Sequence, residues 1–235
     1  MKETTLFLIF LLLTACGYSQ NPNDKSQFQS FIAGGVPIKV SAPDTGFVEV
    51  GSANRESVEI VVPPNNRLMC AFVLENDLPN LFKEATKTIT ANYALVEVPR
   101  RGENIDCEAG DFKQVTQSIE ESLGSAIPSL MNESEDMFND RLKSLGIQDM
   151  KLKLGEPKQL GCFFSKQDAY GLGLLMGYEM GGSTVKMGAT LIIMRVKKRL
   201  LFVYLYSEYK NDDTIKWLRK VGEKWSDEIL KINKL

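Results

Sequence analysis

The sequence predicts an α+β domain, a largely antiparallel β-sheet sandwiched between helices and closed by a C-terminal helix. Three observations predict it. Extended runs open the chain, two helical patterns occupy its middle, and extended runs return before a last helix. Thr184–Val196 and Arg199–Tyr209 are β-rich runs separated only by Lys197-Lys198, the mark of a hairpin. Within the second run, Leu201, Val203 and Leu205 fall on one face, and Leu200, Phe202, Tyr204 and Tyr206 on the other. A strand apolar on both faces is an interior strand with cover on both sides.

The elements follow in order. Val36–Val40 and Phe47–Val50 flank the turn signal Ser41–Gly46 and are expected to form a first hairpin. Glu59–Val62 reads as extended and stops at Pro63-Pro64. Asn65-Asn66 then turn into a strand over Leu68–Glu75, Leu78–Phe82 reads as a short helical piece, and Ile89–Val98 as extended. Pro99–Gly110 is a polar, charged loop. Asp111–Met131 carries a helical pattern with Phe112, Val115, Ile119 and Leu123 on one face, and Pro128 predicts a break or kink near its end. Glu133–Leu145 reads as a second, acidic helix ending at Gly146. Leu160–Ser165 and Tyr170–Met180 are extended, and Gly181-Gly182 turn into Thr184. Beyond the hairpin, Asn211-Asp212-Asp213 have the chemistry of a helix N-cap. Leu218, Val221, Trp225, Ile229 and Ile232 then recur at steps of three and four, one apolar stripe on a closing helix.

At the start of the chain, Lys2 precedes an apolar run, Leu6–Leu13. The run is too short to span a bilayer and has the dimensions of a signal-peptide core. Leu13-Thr14-Ala15-Cys16, followed by Gly17, resembles the lipobox of bacterial lipoproteins, in which the Cys becomes the lipidated first residue. The alternative is an ordinary signal peptide cleaved after Gly17-Tyr18-Ser19, with Gln20 first. Asn21–Gln29 is polar and reads as a flexible tether. The expected division is therefore a signal peptide over residues 1–15, a lipid-anchored tether over 16–30 and a single α+β domain over 31–235. The expected location is the bacterial cell envelope, membrane-anchored at Cys16 and facing the periplasm, with a secreted or soluble periplasmic protein as the alternative. The membrane, through that anchor, and an envelope protein are the expected partners. A formal net charge of −2 gives no electrostatic reason to expect nucleic acid.

The chain holds no His, so neither a Ser-His-Asp nor a Cys-His catalytic arrangement nor a standard Cys/His zinc site has a basis. After Cys16, three cysteines remain. Cys70, inside Leu68–Leu74, and Cys162, beside Phe163-Phe164, read as small buried hydrophobes, and Cys107 as the more exposed thiol of a polar loop. Gly171, Gly173 and Gly181-Gly182 lack the rest of any phosphate-loop fingerprint and read as close strand packing and a turn. Asp106, Glu108 and Asp111 have the oxygen chemistry of a hard-cation site, but the plainer reading is a solvated loop with Asp111 or a neighbour capping the next helix. Glu133, Glu135, Asp136 and Asp140 read as a solvated face at a helix start. Arg100-Arg101 suit a lipid headgroup or an acidic partner, although two charges alone do not argue for one. Phe202, Tyr204 and Tyr206 form an aromatic stripe, which is core beneath a helix or, where left open, the wall of an apolar pocket with hydroxyls at its rim.

The final block, LLFVYLYSEY followed by DDTIKWLRKVGEKWSDEILKIN, resembles the end of proteins with the PsbP-like fold. There a long antiparallel sheet finishes in an aromatic-rich strand and a helix that ends near an Asn, here Asn233. Arg67-Leu68 entering a strand and Asp111-Phe112 opening a helix fit the same fold less specifically. The resemblance covers about half of the chain and implies a sheet sandwiched by helices. The fold hosts photosystem II accessory proteins and a nuclear-import factor that binds a small GTPase, so it implies no activity. The expectation is a non-catalytic, lipid-anchored envelope protein, an accessory or interaction module without a cofactor. The alternative is a small-molecule or lipid-binding module using Phe202, Tyr204 and Tyr206.

Overall fold

The computed structural model describes residues 28–51, 55–59, 62–78, 92–144, 151–180 and 183–234. The signal sequence, Cys16, residues 79–82, Gly146 and the Gly181-Gly182 turn lie outside these residues.

Among the described residues, ten strands and three helices form an eight-stranded main sheet, a separate two-stranded sheet of β1 and β2, and the helices packed with them. The chain order is β1 (Phe28–Ala33), β2 (Val36–Ser41), β3 (Phe47–Glu49), α1 (Arg55–Glu59), β4 (Asn66–Leu74), β5 (Asn92–Pro99), α2 (Ala109–Ser144), β6 (Leu152–Leu154), β7 (Lys158–Ser165), β8 (Ala169–Met180), β9 (Ser183–Val196), β10 (Arg199–Glu208) and α3 (Asp212–Ile232). Eight strands form the main sheet in the order β3-β4-β5-β10-β9-β8-β6, with β7 also paired to β8. All of its pairings are antiparallel. The hairpin β9–β10 turns through Lys197 and Lys198, both in the left-handed region at φ 48° and 63°. Two positive φ values in a two-residue loop are those of a type I′ turn, whose twist matches the strands it joins.

As its two apolar faces require, β10 lies inside the sheet, between β5 and β9. Leu201, Val203 and Leu205 are fully buried on the face covered by α3. Asn211 caps α3 by accepting a bond from the Asp213 N–H at 2.9 Å. Leu218, Val221, Trp225 and Ile229 are buried against the sheet, while Lys220 stays exposed. Gly171 and Gly173 are the close packing that their spacing implies. The rings of Phe164 and Phe163 occupy the places where their Cβ atoms would sit.

Side-chain amides close two exposed strand edges. Asn233, just past α3, accepts from the Lys39 N–H at 2.9 Å and donates to the Lys39 carbonyl, so β2 is clasped as if by another strand. Asn139 of α2 does the same for β6, accepting from Leu152 N at 2.8 Å and donating to Leu152 O at 2.9 Å. Each clasp satisfies one N–H and one C=O that the ladder leaves over.

Four expectations change. Val36–Val40 does not pair with Phe47–Val50. Its partner is β1, which opens at Phe28 within the stretch read as tether, while β3 pairs with β4. Residues 41–46 thus carry the chain from the α3 side to the sheet edge instead of folding it back. Glu59 ends a short helix, with an Arg55–Glu59 ion pair spaced i,i+4 across it, rather than starting a strand. The two middle helices are one helix of 36 residues that continues through Pro128. Both of its halves have tertiary work. Phe112, Val115 and Ile119 pack on the sheet, and Glu135 and Asn139 hold β6. A proline removes one backbone bond, and the packing at both ends outweighs that local loss. The acidic run Glu133–Asp140 therefore lies well inside α2, where a helix-start dipole no longer accounts for it.

The thiols also exchange roles. Cys107, expected to be exposed, is buried under Phe112 and Tyr170, with its N–H bonded to Lys198 O at 2.8 Å. Cys162, expected to be buried, is exposed. Bulges in β7 at Gln159/Gly161 and Cys162/Phe164 break the two-residue alternation, so Phe163 and Phe164 are both buried and Cys162 turns outward. Cys70 is buried as expected, and burial pushes its thiol well above the usual range. Thiol counting on denatured, non-reduced protein should find all three free. In the native state Cys162 should react first and Cys70 only on unfolding. A quantitative bridge between any two of them would contradict this assignment.

Candidate functional site

The acids that suited a cation are engaged elsewhere. Asp106 pairs with Arg199, Glu108 pairs with Lys198 at 2.6 Å, and Asp111 accepts from the Glu108 N–H at 2.9 Å. The last contact caps the start of α2, with an acid in the first turn reaching back to the residue before the helix. Among the described residues no group of three or more acidic or Cys side chains converges to hold a metal. Arg100 donates to the carbonyls of Pro64 and Asn66.

The aromatic stripe is drawn out by strand register. Phe202 pairs with Glu97, Tyr204 with Leu95 and Tyr206 with Tyr93, so these side chains share the face opposite α3. The stripe is then divided. Phe202, half-buried, packs beneath the first turns of α2 with Phe112, Val115 and Ile119, whereas Tyr206 joins Phe138 further along the same helix, and both Tyr204 and Tyr206 border the cluster of Leu68, Val73 and Leu95. Tyr206 stacks on Tyr93 with ring centroids 4.4 Å apart and 17° between planes, and Tyr204 lies parallel to Tyr206 at 6.1 Å. Offset stacks of this kind add to area burial.

Beside the stack lies Glu97, 1% exposed. Asn66 Nδ2 donates to its Oε2 at 2.7 Å. Burial pushes the carboxyl up to about 7, against the opposing pull of that bond. Burial first, then Glu97 and the neighbouring phenols, raise the hydroxyls of Tyr93, Tyr204 and Tyr206, so all three stay neutral near neutral pH. The group therefore offers three neutral phenols on an apolar wall, with one carboxyl that changes charge near pH 7. Glu97 is a site residue that the motifs of the sequence do not mark. The signal is the lone charge inside the apolar run Tyr93–Val98.

A polar cleft of about 340 Å³ opens elsewhere, between β1 and β4, lined among others by Ser30, Phe31, Glu49, Arg55 and Arg67. Its arginines are held. Arg55 donates to Leu68 O and Met69 O at the bulge in β4, and Arg67 binds Glu103 and Ile32 O.

No protein-family model matches the chain, and no curated protein matches it. Similar solved structures include the solution structure of cyanobacterial PsbP (CyanoP) from Synechocystis sp. PCC 6803, at 12% identity and a TM-score of 0.33, covering 88% of this chain and 95% of that one. They also include the Ran-binding protein Mog1p of Saccharomyces cerevisiae, at 8% identity and a TM-score of 0.33, covering 87% and 93%. Both have the PsbP-like fold that the C-terminal block resembles, and at these TM-scores the likeness carries no argument about activity, ligand or partner.

Proposed function

We propose that the chain is a non-catalytic module of the bacterial cell envelope, tethered by lipid at Cys16 and acting as an accessory or interaction protein. The observation that carries this reading is the Leu13–Cys16 tetrapeptide at the end of an apolar run, followed by a polar stretch that leads into the domain. The acids of the 106–111 loop support it, since each holds a turn or a helix start. Among the described residues no helix is long and apolar enough to cross a membrane. Replacing Cys16 tests the reading. Cys16→Ser should abolish labelling by a radioactive fatty acid and move the protein from the membrane to the soluble fraction. A parent protein that is already soluble and begins at Gln20 would overturn it.

A second reading has its own observation, the stacked Tyr93, Tyr206 and Tyr204 beside Glu97. In it the same domain takes an apolar small molecule or lipid chain on this face, with the phenols as hydrogen-bonding rim. An apolar fluorescent probe that binds the parent protein and loses affinity with Tyr204→Ala would support this reading. Equal binding by both proteins would remove it.

A further inference from the structure

We propose that one end of the sheet is a docking face for an anionic phospholipid surface. The face is formed by the Gly34-Gly35 turn, residues 100–108 and the Lys197-Lys198 turn. The inference rests on Cys16 as the lipid anchor and adds the way the domain stands on the membrane.

Topology brings these segments together. β1 ends and β2 begins at this end of the molecule, as β4 begins, β5 and β9 end, and β10 begins. Hydrogen bonds join them. Gly34 N donates to Glu103, Arg199 donates to Gly34 O, Lys197 Nζ donates to Pro37 O at 2.9 Å, and Cys107 N donates to Lys198 O. The segments are thus a built surface held to the strand ends.

Its charge is one-sided. Each carboxylate here has a cation: Glu103 has Arg67, Asp106 has Arg199 and Glu108 has Lys198. Arg100, Arg101 and Lys197 have no ion pair among the described residues. Adding the neighbouring Arg195–Asp168 pair and Asp111 still leaves a positive excess, in a chain whose formal net charge is −2. Arg100-Arg101 alone were too few to suggest a headgroup. The fold adds Lys197 from 96 positions further along the chain.

Apolar side chains stand among these charges. Ile105 is 63% exposed and Ile32 is 55% exposed, the highest values among the exposed large hydrophobics. Neither sits on a loose segment. Ile105 N bonds Gly102 O at 3.0 Å, and Ile32 O accepts from Arg67 at 3.0 Å. Basic groups around a few protruding aliphatic side chains suit an anionic interface, where cations meet headgroups and the aliphatic tips enter the acyl boundary. The anchor can reach it. The 12 residues from Cys16 to Phe28 extend at most ~40 Å, and β1 covers only ~20 Å on its way to this end.

The test uses the processed, full-length protein in vesicles of phosphatidylcholine, with or without about one-third phosphatidylglycerol. Flotation reads the anchor, and amide hydrogen exchange over residues 100–108 reads the face. The expected result is flotation with both vesicles and slowed exchange only on the anionic ones. Arg101→Gln with Lys197→Gln should still float but lose the slowing, and Ile105→Ser should reduce it by a different route. Flotation with equal exchange on both vesicles, or slowing confined to other segments, overturns the docking face while leaving the anchor intact. If the protein does not float on neutral vesicles, the anchor reading fails and soluble protein is titrated with anionic vesicles. Binding weakened at least about tenfold by the double charge variant then supports the face alone, and no binding overturns it.

Discussion

Trp225→Ala is expected to lower the free energy of unfolding by about 3–5 kcal/mol, the cost of truncating a large aromatic residue in a core. Trp225 is fully buried. Its ring meets Phe72 edge-on at 6.1 Å, and its Nε1 donates to Ser41 O at 2.8 Å, so one side chain ties α3 to both the main sheet and the β1–β2 hairpin. Alanine would leave a cavity and an unpaired buried carbonyl. For a domain with an ordinary stability of about 5–15 kcal/mol this is a large share. Lys220→Ala, on the exposed side of the same helix, should change stability by less than about 0.5 kcal/mol. Denaturant unfolding of both variants beside the parent makes the comparison. Similar small effects would mean that α3 is a loosely attached tail and that the packing described here is wrong.

Glu97→Gln should have the next largest effect, and its sign depends on pH. The ordinary carboxyl value is 4.5, and in the folded protein Glu97 is pushed up to about 7. The folded state therefore holds this proton more tightly than the unfolded chain. The contribution is fully present below about pH 4.5 and is lost as pH rises to about 7, by about 3 kcal/mol in all. Gln is isosteric, carries no charge and keeps an oxygen to accept the Asn66 bond. The variant should match the parent near pH 4.5 and exceed it by about 2–3 kcal/mol at pH 8. Taking variant minus parent cancels the other titrating groups. A difference that does not change with pH would show that the folded carboxyl is not destabilised when charged.

Much of the fold was legible because its signals are local. The two faces of β10, a cap within Asn211-Asp212-Asp213 and the Leu218–Ile232 stripe need only periodicity and capping chemistry to be read; the structure makes Asn211 the cap and buries the stripe through Ile229, with Ile232 half-buried. The misreadings share a cause. Sequence adjacency pairs Val36–Val40 with Phe47–Val50, whereas its partner is β1, and β2 packs against α3 in that arrangement. Propensity alone predicts a break or kink at Pro128, and contacts at both ends of α2 carry the helix through it without a break. Cys107 and Cys162 were placed by their neighbours in sequence. A bulge and a backbone bond to Lys198 reversed them, and neither device leaves a mark in composition.

The same division applies to the sites. Phe202, Tyr204 and Tyr206 were visible as a stripe because alternate residues of a strand share a face. That Phe202 packs under the start of α2 while Tyr204 and Tyr206 stack with Tyr93 beside a buried carboxyl depends on the register between β5 and β10, which is a long-range pairing. By itself the sequence determined the class of fold, the closing helix and the interior strand, since burial follows from apolar periodicity. Only the tertiary structure decided which strands meet, which thiol is covered, why Glu97 holds a proton near neutrality, and that Arg100, Arg101 and Lys197 share one end of the sheet. Those properties arise between residues far apart in the chain, where desolvation and pairing act through space.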